Sequence, residues 1–498
     1  MVIGAGFAGL GAAIELVAAG HDDVVVLEAA DEVGGTWRDN TYPGCACDIP
    51  SHLYSFSFEP NPDWTRAYPR QPEIQAYLQR TTDRHDLRRR IRFATTVTEM
   101  VWDDHDGTWA VHTADGEVLV ADVVLNGTGP LSQPHVPELP GLGDFEGTVF
   151  HSARWDHAHD LTGERVAVVG TGASAVQFVP EIAPVASLVT VFQRTAPWVV
   201  GREDRPVPGW KRRLYRRVPV LQRLHRWRIY ARQELLVLAF LGHPRVTDRV
   251  RRMGTEHIAE SIHDPSLRAA VTPTITPGCK RLLISDDWYP TLARSDVELV
   301  TDPIQQVTAT GVRTVDGVDH PADTLILGTG FAATDFLAPM RVVGRGGVEL
   351  SEAWRDGAAT HLGITVAGFP NLFLLAGPST GLGHNSIVFM IEAQLHHAVT
   401  ALDHLRRADA DVVEVRADVQ AEAYADVQRR MRGTVWASGC DSWYRSADGR
   451  VDTLWPGSTL SYWWRTRRFD PGAHEVRRAG PGAVGARSAD SETVARDG

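Results

Sequence analysis

Two glycine-rich turns constrain this chain more than anything else in it: Gly4-Ala5-Gly6-Phe7-Ala8-Gly9 and Gly170-Thr171-Gly172-Ala173-Ser174-Ala175. Each comes after an apolar run, Met1-Val2-Ile3 or Arg165 to Val169. Each opens a helix-like stretch, Leu10 to Ala19 or Val176 to Ala183. A strand, a glycine turn and a helix in that order let backbone N–H groups close on a pyrophosphate, with the positive end of the helix dipole aimed at it. One such match is a weak signal, because glycine-rich turns serve many loops. Two in the right context predict two dinucleotide-binding folds. Alanine at the third position of the second turn is tolerated where helix packs on strand. Downstream, the two turns diverge. Twenty-four residues after its first glycine, the early turn reaches Glu28, at the end of Val24-Val25-Val26-Leu27; at the same offset the later turn reaches Arg194, after Val189-Thr190-Val191-Phe192-Gln193. A carboxylate there accepts hydrogen bonds from a ribose diol, whereas arginine suits a 2′-phosphate. FAD on Gly4, Gly6, Gly9 and Glu28, and NADPH on Gly170, Gly172, Ala175 and Arg194, is the expected pair.

At 498 residues the chain has room for two or three domains with substantial cores. The class read from it is α/β: two Rossmann-like dinucleotide-binding domains with a helical insertion in the second. Residues 1–145 form the first part of the FAD-binding domain and end on Val123-Val124-Leu125-Asn126-Gly127-Thr128-Gly129, a strand and tight turn; a proline- and glycine-rich linker spans 130–150. The NADPH-binding domain takes 146–325, with its helical insert at about 205–275. At Thr324-Leu325-Ile326-Leu327-Gly328-Thr329-Gly330 the strand-then-glycine pattern recurs, and 326–470 is expected to return to the FAD-binding domain and add a C-terminal active-site segment. There, Asn371 to Pro378 reads as an inner strand and Ser386 to Leu402 as a long amphipathic helix. The glycine-, alanine- and charge-rich residues 471–498 read as a disordered tail.

A net charge of −12 argues against general nucleic-acid binding. The four cysteines, Cys45, Cys47, Cys279 and Cys440, make no C-x-x-C pair and no zinc spacing, so no metal is expected and a cytoplasmic, reducing setting is assigned. No apolar run approaches the roughly 20 residues that span a bilayer. Fifteen tryptophans point to an apolar pocket. The segment Lys211 to Arg232 holds nine basic residues and no acid, and Leu235 to Leu241 is apolar. Peripheral membrane contact through 211–241 is one reading. A helical insert with one solvated basic face is the favoured one. Oligomeric state is not legible.

Between the two turns stands Phe145-Glu146-Gly147-Thr148-Val149-Phe150-His151-Ser152-Ala153-Arg154-Trp155-Asp156, an F-x-G-x-x-x-H-x-x-x-W-D pattern. Here the chain resembles the type I Baeyer–Villiger monooxygenases of the flavin-containing monooxygenase superfamily, whose fingerprint stands just before the NADPH-binding turn. The resemblance covers roughly residues 1–470. A segment crossing between two nucleotide folds can couple their relative position to cofactor state, which gives Phe145, Gly147, His151, Trp155 and Asp156 a structural role and His151 no direct chemistry.

The resemblance implies the rest of the site. Gly35, Thr36 and Trp37, with Asp48 beyond them, match the family's flavin-binding loop, and Gly278-Cys279-Lys280-Arg281 matches its Lys-Arg segment. Arg281 is then the catalytic arginine, oriented by Asp48. Lys280, Arg194 and Thr195 grip the 2′-phosphate. Trp443, in Cys440-Asp441-Ser442-Trp443, orders the NADP and active-site loops. Cys45, Cys47 and Cys279 are taken as small packing residues. The implied activity is an NADPH- and O2-consuming, FAD-dependent conversion of apolar ketones to esters or lactones through a C4a-peroxyflavin. A fixed guanidinium favours an anionic peroxide and the oxyanion produced by its attack on the carbonyl. The alternative enzyme reading is oxidation of sulfur or nitrogen in small substrates; a redox-responsive flavoprotein without oxygenase activity is the non-enzymatic one.

Overall fold

The computed structural model describes residues 1–480 apart from Asp441, Trp443 and Ala447. Two five-stranded parallel sheets carry the two turns. In the first, Leu372–Leu374, Val124–Asn126, Val2–Ile3, Val26–Leu27 and Ile91–Arg92 lie side by side in that order. In the second the order is Val297–Val300, Leu188–Phe192, Arg165–Val169, Thr324–Leu327 and Thr148–His151. Parallel strands are covered on both faces, so they read as continuous apolar runs rather than as alternations.

The two sheets repeat one local design. Each glycine turn leaves a strand flanked on one side by the strand ending near Glu28 or Arg194. On its other side lies the strand that runs into a second glycine pair, Gly127/Gly129 or Gly328/Gly330. The helices Phe7–Ala18 and Ala173–Ile182 start directly from the turns. The first is buried on nearly every side and packs beneath the long helix Ile387–Ala408. Binding sites in such sheets open at the carboxyl ends of the strands, where the chain order reverses.

Several expectations need correction. The proline-rich stretch is not all linker: Thr148–His151 is an edge strand of the second sheet, pairing with Thr324–Leu327. That pairing also keeps the whole of Thr324–Leu327 in the second sheet, so a boundary between 325 and 326 would cut a strand. The supposed inner strand of 371–378 shortens to Leu372–Leu374 and lies at the edge of the first sheet. The tail does not begin at 471: His474–Arg477 forms an antiparallel pair with Val412–Val415. The rest of it, 481–498, lies outside the described residues. Five helices, Gly209–Arg217, Pro219–Leu235, Val237–Phe240, Pro244–Ser261 and Pro265–Val271, stand between strands of the second sheet. No helix among the described residues is long and apolar enough to cross a membrane.

The two halves are tied together by Gln177, on the helix that leaves the second turn. Its side-chain carbonyl accepts from the Ala46 N–H at 3.1 Å and from the Tyr42 hydroxyl at 3.1 Å, and its amide donates to the Ala46 carbonyl at 3.0 Å. The loop so held is the one that carries Asp48.

Candidate active site

A cavity of about 1400 Å³ is lined from both sheets at once. Gly4, Gly6, Glu28, Gly35, Thr36 and Trp37 face it from the first half; Gly170, Gly172, Arg194 and Thr195 face it from the second, with Asp48, Lys280 and Arg281 between. Its backbone fits a pyrophosphate cradle. Gly4 (φ +90°) and Gly170 (φ +109°) adopt backbone angles that a side chain disfavours. A Cβ on Gly4 would sit 2.9 Å from the Gly127 carbonyl oxygen, and one on Gly170 would sit 2.6 Å from that of Gly328. Gly9 stands behind the first turn, where a Cβ would run into the carbonyl of Gly4. Ala175 takes the corresponding place in the second turn and is fully buried, so that turn is built with room for a methyl.

Glu28 is 4% exposed. It accepts from the Ala5 N–H at 2.7 Å, the Ala30 N–H at 3.0 Å and Arg38 Nη1 at 2.8 Å. A carboxylate offers about four acceptor positions, and only one of these three donors falls on Oε2, leaving capacity for a hydroxyl arriving from the cavity. Arg194 is exposed at the cavity wall beside Thr195. The two residues at equivalent offsets thus stand in opposite surroundings.

Asp48 and Arg281, 233 residues apart in sequence, form an ion pair in which both Nε, at 2.8 Å, and Nη2 of the arginine donate to Oδ2. The Asp48 carboxylate, outweighing the opposing cost of burial, raises the Arg281 pKa still further. The guanidinium is a permanent cation here; the Arg281 side chain, three-tenths exposed, lines the cavity. Tyr444 packs its buried hydroxyl toward the same guanidinium; burial raises the phenol and the neighbouring Arg281 opposes that shift. Removing one partner of such a pair strands the other in a poorly solvated place, which commonly costs about 3–5 kcal/mol for a fully buried pair and less here.

A disulfide joins Cys279 to Cys440, which corrects the reading of Cys279 as a packing residue. It fastens the segment carrying Lys280 and Arg281 to the loop carrying Tyr444. Cys45 and Cys47 are free and buried, and burial pushes the Cys45 thiol up to about 12. Tryptophan does not furnish the pocket: of the described tryptophans only Trp37 lines it, while Trp64, Trp109, Trp288, Trp436 and Trp455 are core.

Most of the 145–156 motif stands outside the cavity lining. The Phe145 ring lies over Gly147, where a Cβ would meet it at 2.7 Å. His151 is buried and its Nδ1 accepts the Ala153 N–H at 3.0 Å. Trp155 packs 5.1 Å from Phe150 and 5.3 Å from Phe178, the latter on the helix after the second turn. Asp156 accepts the Ala158 N–H at 2.9 Å. Trp443 lies outside the described residues. Sequence reasoning missed Tyr444, which stands beside Trp443 but belongs to no motif. It also missed Gln177, an ordinary helix residue whose role appears only across the two halves.

A family model described as flavin-binding monooxygenase-like matches residues 1–224. The chain is 46% identical to a Baeyer–Villiger monooxygenase of Streptomyces coelicolor over 100% of this chain and 96% of that protein. It is also 46% identical to a Baeyer–Villiger monooxygenase of Pseudomonas aeruginosa over 95% of this chain and 90% of that protein. Among solved structures, an oxidised steroid monooxygenase bound to NADP superposes with a TM-score of 0.86 at 32% identity, covering 96% of this chain and 99% of that one. A closed cyclohexanone monooxygenase superposes at 0.84 with 29% identity, covering 96% and 98%.

Proposed function

The chain belongs to the type I Baeyer–Villiger monooxygenases of the flavin-containing monooxygenase superfamily, and from that membership we propose that it inserts oxygen beside the carbonyl of apolar ketones to give esters or lactones. It is an enzyme that uses FAD and NADPH and consumes O2 with a small-molecule substrate. We place it in the cytoplasm, where a reducing setting would hold Cys279 and Cys440 as thiols rather than as the disulfide of this structure.

The observation that carries the ketone reading is the Arg281–Asp48 pair inside the cavity that both glycine turns share. When bound, the flavin, reduced by NADPH, supplies activated dioxygen. The protein's part is positioning and charge. Gly4, Gly6 and Gly9 shape the FAD pyrophosphate turn, Glu28 holds the ribose diol, and Gly35, Thr36 and Trp37 flank the flavin side. Gly170, Gly172 and Ala175 shape the NADPH turn, and Arg194, Thr195 and Lys280 hold the 2′-phosphate. Arg281 keeps its positive charge under all working conditions, so it stabilises negative charge developing on the ketone oxygen without a proton changing hands. Asp48 fixes the direction of the guanidinium. Gln177 fixes the Asp48 loop against the NADPH-side helix, so the two halves share one geometry. Phe145, Gly147, His151 and Asp156 shape the edge-strand segment, and Trp155 ties it to that helix through Phe178. Trp443 we assign to ordering the nicotinamide side.

Purified enzyme supplied with NADPH, 18O2 and a panel of apolar ketones tests the proposal. One 18O atom in the ester product is expected. NADPH oxidation with no oxygenated ketone product from any panel member, or oxygenation only of sulfides and amines, would sink it.

A further inference from the structure

The helix Pro219–Leu235 turns an apolar stripe to solvent. Val220, Leu224, Trp227, Ala231 and Leu235 recur at helical spacing on one face, and all five are exposed, Trp227 and Leu235 by two-thirds. Its other face is fully used: Gln222 donates to the Asn61 carbonyl at 2.7 Å, and Arg226 Nη1 donates to the carbonyls of His52, Leu53 and Ser55. The stripe is therefore not the helix's core face turned outward by chance.

The flanks of the stripe are cationic. Arg223, Arg228 and Arg232 are exposed beside it, as are Arg213 and Arg217 on the preceding helix Gly209–Arg217, which also exposes Trp210. No acid occurs from Lys211 to Gln233 in a chain whose net charge is −12. At its far end, Glu234 accepts from the Thr459 hydroxyl and from the Leu460 N–H, so the helix Thr459–Thr466, with exposed Leu460 and Trp464, starts from the same corner.

We propose that this face docks the enzyme on an anionic lipid bilayer. The chemistry matches a membrane interface on three counts. A helix lying in the plane of the surface needs an apolar strip with basic flanks. Tryptophan is the side chain that settles at the boundary of headgroup and acyl chain. Arginines beside the strip reach upward to phosphates while their stems stay apolar. A second copy of an acidic chain would meet these arginines with charge, but charge alone does not call for an exposed tryptophan–leucine strip of one helix's width. Docking also has a consequence for the cavity. Glu234 holds Asn385 at 2.8 Å, and Asn385 lines the cavity, so the docked helix backs directly onto the active-site wall.

Flotation of the FAD-loaded enzyme with vesicles tests this independently of the oxygenase reaction. Vesicles of phosphatidylglycerol and phosphatidylcholine in equal parts are expected to carry the protein upward, and pure phosphatidylcholine to leave most of it behind. Binding should weaken as salt rises. The single variant Trp227→Glu should abolish flotation while flavin content and NADPH oxidation stay at wild-type level. Replacing Arg223, Arg228 and Arg232 together with glutamine should weaken binding to anionic vesicles roughly a hundredfold, taking about fivefold for each arginine at such a surface. Absence of flotation by the wild type at low salt overturns the proposal. So does a concentration-dependent dimer that Trp227→Glu dissociates, which would make the face an interface between copies.

Discussion

The two glycine turns repeat one backbone design with opposite side-chain surroundings. Around the first, Gly9 admits no Cβ, and Glu28 is buried and already held by Ala5, Ala30 and Arg38. Around the second, the equivalent place holds a buried methyl, Ala175, and Arg194, at the offset of Glu28, lies exposed. A buried carboxylate already held by three donors loses little freedom when a hydroxyl arrives; Arg194 meets its ligand from the solvent-exposed wall. We propose from this contrast in burial that the first site keeps its nucleotide and the second exchanges it. An enzyme that retains FAD and takes up a fresh NADPH each cycle needs that asymmetry.

The asymmetry is tested most severely by Gly9→Ala. The added methyl collides with the Gly4 carbonyl, and the purified protein should lose most of its bound flavin, read from its visible absorbance. Retention of wild-type flavin would mean that the first turn tolerates a methyl as the second does. Next in size is Arg194→Ala, which should raise KM for NADPH about 10- to 100-fold, the worth of one or two charge-assisted hydrogen bonds, and leave KM for NADH nearly unchanged. Equal effects on both coenzymes would mean that Arg194 does not read the 2′-phosphate. The smallest effect belongs to Ala175→Gly. It should cost about 1 kcal/mol of stability, the penalty for glycine within a helix, with little change in NADPH affinity. A loss as large as that of Gly9→Ala would show that the two turns are not as different as their packing indicates.

Much of the nucleotide-binding frame was legible in the chain because local chemistry dictates it. The turns, the helices they open and the residues at the shared offset depend on short-range backbone geometry, and the structure gathers Gly4, Glu28, Gly170 and Arg194 on one cavity. The pairing of Asp48 with Arg281 was legible only through the resemblance, since nothing local links residues 233 apart. What the sequence concealed was long-range. The edge strand Thr148–His151 hides in a stretch rich in proline and glycine, because its partner Thr324–Leu327 lies far along the chain. The Cys279–Cys440 link obeys no spacing rule. Tryptophan count said nothing of tryptophan location: most of those buried fill the cores, and Trp210, Trp227 and Trp464 face solvent.

Hydride transfer and oxygenation are separable in this enzyme if Arg281 serves only the second. Arg281→Ala, assayed for NADPH oxidation and for ester in the same reaction, decides it. Ester formation is expected to fall by about 10²–10³, the usual loss when a preorganised charge facing a developing oxyanion is removed, while flavin content and NADPH affinity persist. Ester formed at the wild-type rate by that variant would contradict the role given to Arg281.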